Sequence, residues 1–157
     1  MSAEARNFQV KALGEIAIRC SDFDGMVAFY RDVLGLELLE GGHSDGIQFF
    51  QLGESHGGHT AVLALFRHDA AQRDVHPDAP DAPVTGAGAS LHHLALTVDA
   101  AELEAVVAWY ESQGLTYRVE DFPWIGWRGV FTNDPEGNTV ELVAKVTGDQ
   151  VEPESSR

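Results

Sequence analysis

Residues 13–37 read LGEIAIRCSDFDGMVAFYRDVLGLE, and residues 91–117 read LHHLALTVDAAELEAVVAWYESQGLTY. Each stretch contains a short alternating strand, an acidic helix start, an amphipathic helix that ends in an aromatic residue and a tyrosine, and then Gly-Leu. Matching residues lie 78 to 80 positions apart, about half of the chain. The two stretches therefore predict a tandem duplication of one structural unit.

The apolar residues of the first unit switch from a period of two to a helical period and back. The helix is predicted to begin at a capping box formed by Ser21 and Asp24 and to end at Gly35. Strands are predicted at residues 14–20, 36–40, 46–52 and 60–66.

The second unit repeats this pattern around a helix over residues 100–113 that Asp99 and Glu102 are expected to cap. Its strands are predicted at residues 93–98, 115–120, 129–132 and 139–145. Each half therefore has the element order βαβββ, and Asp134 begins a turn whose predicted role is structural.

The predicted modules divide the chain into consecutive segments. These are an N-terminal extension at 1–12, a first module at 13–66, a Pro-rich linker at 67–90, a second module at 91–146 and a flexible tail at 147–157. The two modules are expected to form one domain.

Composition excludes several classes of protein. The 157 residues are 44% apolar and 22% charged, as in an ordinary globular domain, and the formal net charge is −15. A chain this acidic would repel phosphate backbones, so we expect no nucleic-acid partner. No apolar run approaches the ~20 residues of a membrane span, and no signal peptide is evident. The single cysteine, Cys20, is typical of a cytoplasmic protein.

Three motifs resemble the vicinal oxygen chelate superfamily, which includes glyoxalases, bleomycin-resistance proteins and extradiol dioxygenases. They are AFYRDVLGL at 28–36, HLALTV at 93–98 and NDPEGNTVELV at 133–143. The resemblance covers about residues 13–145. It implies an α+β fold in which tandem βαβββ modules form a cup-shaped, eight-stranded incomplete barrel with the helices outside.

The resemblance also implies a metal site, because the family's ligands come from the first and last strands of each module. The matching positions here are Glu15, Ala64, His93 and Glu141. Alanine cannot ligate, so Glu15, His93 and Glu141 remain as candidate ligands, and the two glutamates are also candidate catalytic residues. Without a thiolate, such a set favours Mn²⁺, Fe²⁺, Co²⁺, Ni²⁺ or Mg²⁺ over zinc.

Further residues are assigned by their position in the strands. His59 follows two glycines and is a candidate fourth ligand or acid/base, whereas His92 is expected to face away from the site. Substrate-binding candidates are Arg19, Trp124, Trp127 and Arg128.

Simpler interpretations remain open for these residues. His93 could be a hydrogen-bonded core histidine, and Glu141 could merely orient it. Glu15 could pair with Arg19 or Arg128, and the tryptophans could cover a barrel edge.

The resemblance and the candidate ligands together imply a divalent-metal-dependent enzyme that acts on a small, oxygen-chelating substrate. Its reaction would be of the lyase/isomerase type or of the extradiol dioxygenase type. The alternative is a metal-free, bleomycin-resistance-like protein that sequesters a small molecule or drug. A homodimer is expected because the half-barrels of this fold have exposed sheet edges, and the site could lie within one chain or across two.

Overall fold

The computed structural model describes residues 6–39, 46–70 and 83–146. It contains two compact units, Met1–Pro83 and Val84–Arg157, each built on one four-stranded sheet. The predicted α+β fold class is confirmed. Residues 71–82 of the predicted linker and all of the predicted tail at 147–157 lie outside the described residues.

The first unit follows the predicted element order. Its strands are β1 (Glu15–Cys20), β2 (Glu37–Leu38), β3 (Ile47–Glu54) and β4 (Thr60–Arg67), and helix α1 (Phe23–Ala28) follows β1. The sheet order is β1-β4-β3-β2, with β1 parallel to β4 and the other pairs antiparallel. β2 is shorter than the predicted 36–40, of which residue 40 is outside the described part.

The second unit repeats this arrangement. Its strands are β5 (Leu94–Thr97), β6 (Arg118–Phe122), β7 (Trp127–Asn133) and β8 (Thr139–Lys145), with helix α2 (Leu103–Ser112) after β5. The sheet order is β5-β8-β7-β6, and the only parallel pair is again the first strand with the last, β5 with β8. The repeated topology confirms the duplication that the sequence predicts.

The helix starts differ from the prediction. Asp22 caps α1, because its carboxylate accepts a hydrogen bond of 3.1 Å from the backbone N–H of Gly25, so the expected Ser21 capping box is wrong. In the second unit a 3₁₀ turn, Ala100–Glu102, leads into α2, and neither Asp99 nor Glu102 makes a side-chain cap hydrogen bond.

The helix of the first unit does not continue as a regular α-helix up to its predicted end. After α1 the chain continues as a π-helical turn, Phe29–Val33, in which the Leu34 N–H donates to the Phe29 carbonyl at 3.1 Å. Gly35 then takes φ +71°, the left-handed conformation that ends the helix as predicted.

The core of each unit lies between one face of its sheet and its helix. In the first unit Ile18 and Cys20 of β1 are buried together with Tyr30. In the second unit Leu94 of β5 is buried together with Tyr110. The opposite face of each sheet therefore carries the residues that alternate with these. In the described ranges, no helix has both the length and the apolar character that a membrane span needs.

Candidate active site

A buried carboxylate lies near the centre of the second sheet. Glu141 of β8 is only 5% exposed, and its cross-strand neighbours are Ala95 in β5 and Phe131 in β7. His93 immediately precedes β5, and its Nε2 atom lies 3.1 Å from Glu141 Oε2. The structure thus brings together two of the three predicted ligands.

Gly129 makes room for the Glu141 carboxylate. A Cβ built on Gly129 would overlap Glu141 Oε1 and would lie 3.0 Å from both Cδ and Cγ of the same side chain. Any side chain larger than hydrogen at this position would therefore displace the carboxylate. A glycine inside a strand is a sign of such a close approach, so the sequence carries a signal for the role of Gly129.

His92 contacts His93, contrary to the expectation that it faces away. The two Nδ1 atoms are 2.7 Å apart, and the rings meet edge to face with centroids 5.0 Å apart. Both histidines precede β5, which begins at Leu94, so strand alternation does not govern them. One Nδ1 donates a proton to the other, and the imidazole of His93 is therefore held through both of its nitrogens.

The pKa of Glu141 is raised above its ordinary value of 4.5. Burial is the largest cause because it disfavours the charged carboxylate, and the negative charge of Glu120 acts in the same direction. The charge and the hydrogen bond of His93 lower the pKa without cancelling the rise. The ionised form of Glu141 is therefore disfavoured in the folded chain.

This raised pKa predicts how Glu141 affects stability. The folded chain holds the proton more tightly than the unfolded chain, so the free energy of unfolding falls as pH rises from 4.5 through the raised pKa. We expect metal-free Glu141→Gln to become progressively more stable than metal-free wild type across that interval. Guanidinium chloride unfolding with a chelator present, from pH 4 to pH 8, measures the difference.

Glu104→Gln, on the exposed side of α2, is the matched control for the loss of one surface carboxylate. If Glu141→Gln instead lost stability relative to wild type as the pH rose, pairing with His93 would outweigh burial, and the prediction would be wrong.

Aromatic rings extend the same face of the second sheet. Phe131 lies with its ring centroid 6.0 Å from that of His93 and 6.3 Å from that of Phe122. Trp127 is two residues before Gly129 in β7 and therefore shares this face, where it is partly exposed. Trp124 is 81% exposed, in the turn where Gly126 N–H donates to the Phe122 carbonyl.

Arg128 lies on the other face of the second sheet. In β7 it alternates with Gly129, so it lies on the face of the sheet opposite to Glu141. There it binds Asp121 through two hydrogen bonds, Nε to Oδ1 at 2.6 Å and Nη2 to Oδ2 at 3.2 Å. Asp121 is therefore the cross-strand partner of Arg128 on that face, and contact of Arg128 with a substrate stays a prediction.

The remaining candidates belong to the first unit. Glu15 is exposed at the start of β1, and Ala64, in the same sheet, is fully buried. Arg19 is partly buried on the same face as Glu15. Among the described residues of this unit, ion pairs join Arg31 to Asp32 and Arg67 to Asp69. A salt bridge between Glu15 and Arg19 is therefore not among them.

His59 lies against the start of β1. A Cβ built on Gly14 would be 2.9 Å from His59 Nε2, so the imidazole covers the residue just before Glu15. His59 itself is exposed and precedes β4. It is therefore close in the fold to one predicted ligand.

The turn between β7 and β8 leads into the strand that carries Glu141 and is fixed by hydrogen bonds to Asp134. Buried Asp134 accepts hydrogen bonds from the Glu136 N–H at 3.0 Å, the Asn138 N–H at 3.0 Å and Asn138 Nδ2 at 2.9 Å. These bonds confirm the structural role predicted for this turn. Over the ranges that the structure describes, no three His, Cys, Asp or Glu side chains meet in one cluster, so His93 and Glu141 form a pair of donors.

The sheet topology agrees with a comparison against protein families. Residues 12–142 match the Glyoxalase/Bleomycin resistance protein/Dioxygenase superfamily. The chain belongs to this superfamily. The resemblance seen in the sequence is thereby confirmed, and the matched range includes both His93 and Glu141.

Individual members of the superfamily resemble the chain over most of its length. The uncharacterized protein YaeR of Escherichia coli (strain K12) is 32% identical over 85% of this chain and 95% of its own length. A lactoylglutathione lyase from Agrobacterium tumefaciens is 27% identical, with 84% and 92% of the two chains covered and a TM-score of 0.62.

A third similar protein shares the superfamily fold at lower identity. It is the fosfomycin resistance protein FosX from Listeria monocytogenes, solved with Mn(II) and a dihydroxypropylphosphonic acid. The identity is 16%, with 90% and 97% of the two chains covered and a TM-score of 0.59, so this likeness shows the fold alone.

Proposed function

We propose that the chain is a divalent-metal-dependent enzyme whose small substrate chelates through two neighbouring oxygens. Its reaction would be of the lyase/isomerase type or of the extradiol dioxygenase type. The proposed ligands are His93 and Glu141, with Glu15 as the third ligand that the sequence resemblance implies. The observation that carries the proposal is the 3.1 Å contact between the buried Glu141 carboxylate and the His93 imidazole.

The residues of the second unit fit a divalent cation by their chemistry. Imidazole nitrogen and carboxylate oxygen are the donors that Mn²⁺, Fe²⁺, Co²⁺ and Ni²⁺ accept, and Mg²⁺ takes the carboxylate, while no thiolate is present to select zinc. A buried carboxylate with a raised pKa is a group that a cation would stabilise in its charged form. A bound divalent ion would supply the Lewis acid that stabilises negative charge on the substrate's oxygens.

His92 supports this assignment by fixing the tautomer of its neighbour. His93 can offer a lone pair at Nε2 only if its proton is on Nδ1. The His92 Nδ1 atom, 2.7 Å away, is placed to accept that proton in a hydrogen bond. His92 therefore orients the ring of His93.

Glu15 and Glu141 are also the proposed groups for moving a proton on the substrate. The assignment of Glu15 rests on the sequence resemblance and on its exposed position in β1, and His59 is an additional candidate for the same task. Trp127 and Trp124 are proposed to contact the substrate beside Glu141, and Arg19 is proposed to contact it from the Glu15 face.

Metal content tests the proposal directly. Protein purified without chelators and then reconstituted with Mn²⁺ or Fe²⁺ is expected to hold about one ion per chain by mass spectrometry. His93→Ala and Glu141→Gln are expected to weaken metal affinity by at least about 10-fold, because alanine removes the nitrogen donor and glutamine replaces a charged carboxylate with a neutral amide. Glu15→Gln tests the third ligand in the same way.

His56→Ala, which removes an exposed loop histidine, is the matched control and should keep its metal. Wild-type protein that binds no metal after reconstitution with Mn²⁺, Fe²⁺, Co²⁺, Ni²⁺ or Mg²⁺ would overturn the proposed metal-dependent enzyme.

A metal-free binding protein of the bleomycin-resistance kind is the second candidate. The exposed Trp124 and Trp127 favour it, because they offer aromatic surface to a cationic drug in an acidic chain. If no metal binds, titration with bleomycin while tryptophan fluorescence is followed would test this candidate. The homodimer and the cytoplasmic location expected from the sequence stay predictions.

A further inference from the structure

Arg118 occupies the same face of the second sheet as Glu141. Arg118 of β6 pairs with Phe131 of β7, which pairs in turn with Glu141 of β8. Directly paired residues point to the same side of a sheet, so these three side chains form one row. Two strand spacings, roughly 10 Å, separate the backbones of Arg118 and Glu141.

The guanidinium of Arg118 lies over the aromatic ring of Phe131, which stands between Arg118 and the His93–Glu141 pair. Its Cζ atom is 4.8 Å from the centroid of Phe131, whose ring is 6.0 Å from that of His93. Together these two distances limit the separation of the guanidinium carbon from the His93 ring centre to about 11 Å. The buried, apolar ring of Phe131 thus separates the Arg118 guanidinium from the proposed metal ligands.

The guanidinium keeps most of its hydrogen-bonding capacity. Its Nη2 atom is 3.1 Å from Oε2 of Glu120, and the Arg118 side chain is 66% exposed. A guanidinium has five N–H donors, so an ion pair through one nitrogen leaves donors directed to solvent. Exposed ion pairs of this kind contribute little stability, and an incoming anion can therefore replace Glu120.

We propose that Arg118 binds an anionic group of the substrate, and that the substrate therefore carries a carboxylate or similar anion beyond its two chelating oxygens. The inference rests on the proposed function and names the substrate class of the same site. A planar ring beside Phe131 would span the distance between the chelating end and Arg118. A carboxylate is the group that a guanidinium recognises most specifically, through two parallel hydrogen bonds.

Two probes that differ only in the anion test the inference. Catechol and 3,4-dihydroxybenzoate are titrated calorimetrically into Mn²⁺-loaded protein without oxygen. Wild type is expected to bind the carboxylate-bearing probe at least about 10-fold more tightly than catechol. Arg118→Gln is expected to abolish that preference without changing catechol affinity or metal content, and Arg118→Lys to retain part of it.

Glu120→Gln provides a readout that a purely structural role would not give. It removes the carboxylate that competes for Arg118, so binding of 3,4-dihydroxybenzoate should tighten while binding of catechol stays constant. Arg31→Gln, which removes an exposed arginine ion-paired to Asp32 in the first unit, is the matched control and should behave as wild type.

The possible failures are distinguishable. Metal-loaded wild type that binds the two probes equally, or binds neither, overturns the role of Arg118 and leaves the proposed metal site standing. A preference that persists in Arg118→Gln has the same meaning. Wild type that holds no metal overturns the proposed function, and the inference with it.

Discussion

Replacing Gly129 with alanine is expected to lower metal affinity about 10- to 100-fold while the fold stays intact. The three atoms nearest to the added Cβ all belong to the Glu141 side chain, so the methyl group would push the carboxylate away from His93. The end of a glutamate side chain can rotate away at little cost, and the backbone of Gly129 is not in the left-handed region. Alanine is therefore compatible with the strand.

The measurement pairs a Mn²⁺ titration with chemical denaturation of the metal-free protein. The free energy of unfolding should stay within about 1 kcal/mol of wild type, because alanine also restricts the unfolded chain. Gly88→Ala, whose Cβ would meet nothing closer than 3.7 Å, should leave both quantities unchanged. Full metal affinity in Gly129→Ala would show that Glu141 does not bind the metal in the position that the structure gives it.

Asp134→Ala is expected to reduce the free energy of unfolding by about 3 kcal/mol. The carboxylate accepts two backbone hydrogen bonds and one from the Asn138 side chain, and Asn138 is itself buried. Alanine would leave these donors without their acceptor in a site that water reaches poorly. Denaturation by guanidinium chloride, followed by circular dichroism, measures the loss.

Two companion variants separate the turn from a general effect of charge. Asp134→Asn keeps one acceptor oxygen for the backbone N–H groups and should lose only about 1 kcal/mol. Asp99→Ala removes an exposed carboxylate that makes no side-chain cap hydrogen bond and should have little effect. A loss below about 1 kcal/mol in Asp134→Ala would show that other contacts hold the turn.

The order of the elements was predictable because it depends on local patterns. Alternating apolar residues, glycines after helices and the repeat of about 79 residues specify strands, helix ends and duplication without knowledge of distant contacts. The exact cap of α1 and the π-helical turn after it were not predictable. Each depends on which of several competing hydrogen bonds the packed chain makes.

The candidate site was predictable only in part. The spacing of the motifs places His93 and Glu141 on neighbouring strands, and the structure brings them into contact. The roles of Gly129 and His92 come from side-chain positions in three dimensions. The pairing of Arg128 with Asp121 is not predictable from the sequence, because it depends on the register of β6 and β7.

The equal strand order of the two sheets has an evolutionary consequence. Ala64 pairs with Ala17 in the first sheet as Glu141 pairs with Ala95 in the second, so positions 64 and 141 are the same site in two copies of one ancestral module. After duplication, mutations accumulate in each copy independently. One of these equivalent positions carries a packed alanine and the other a buried acid, so the two sheets differ in chemistry at the position that they share.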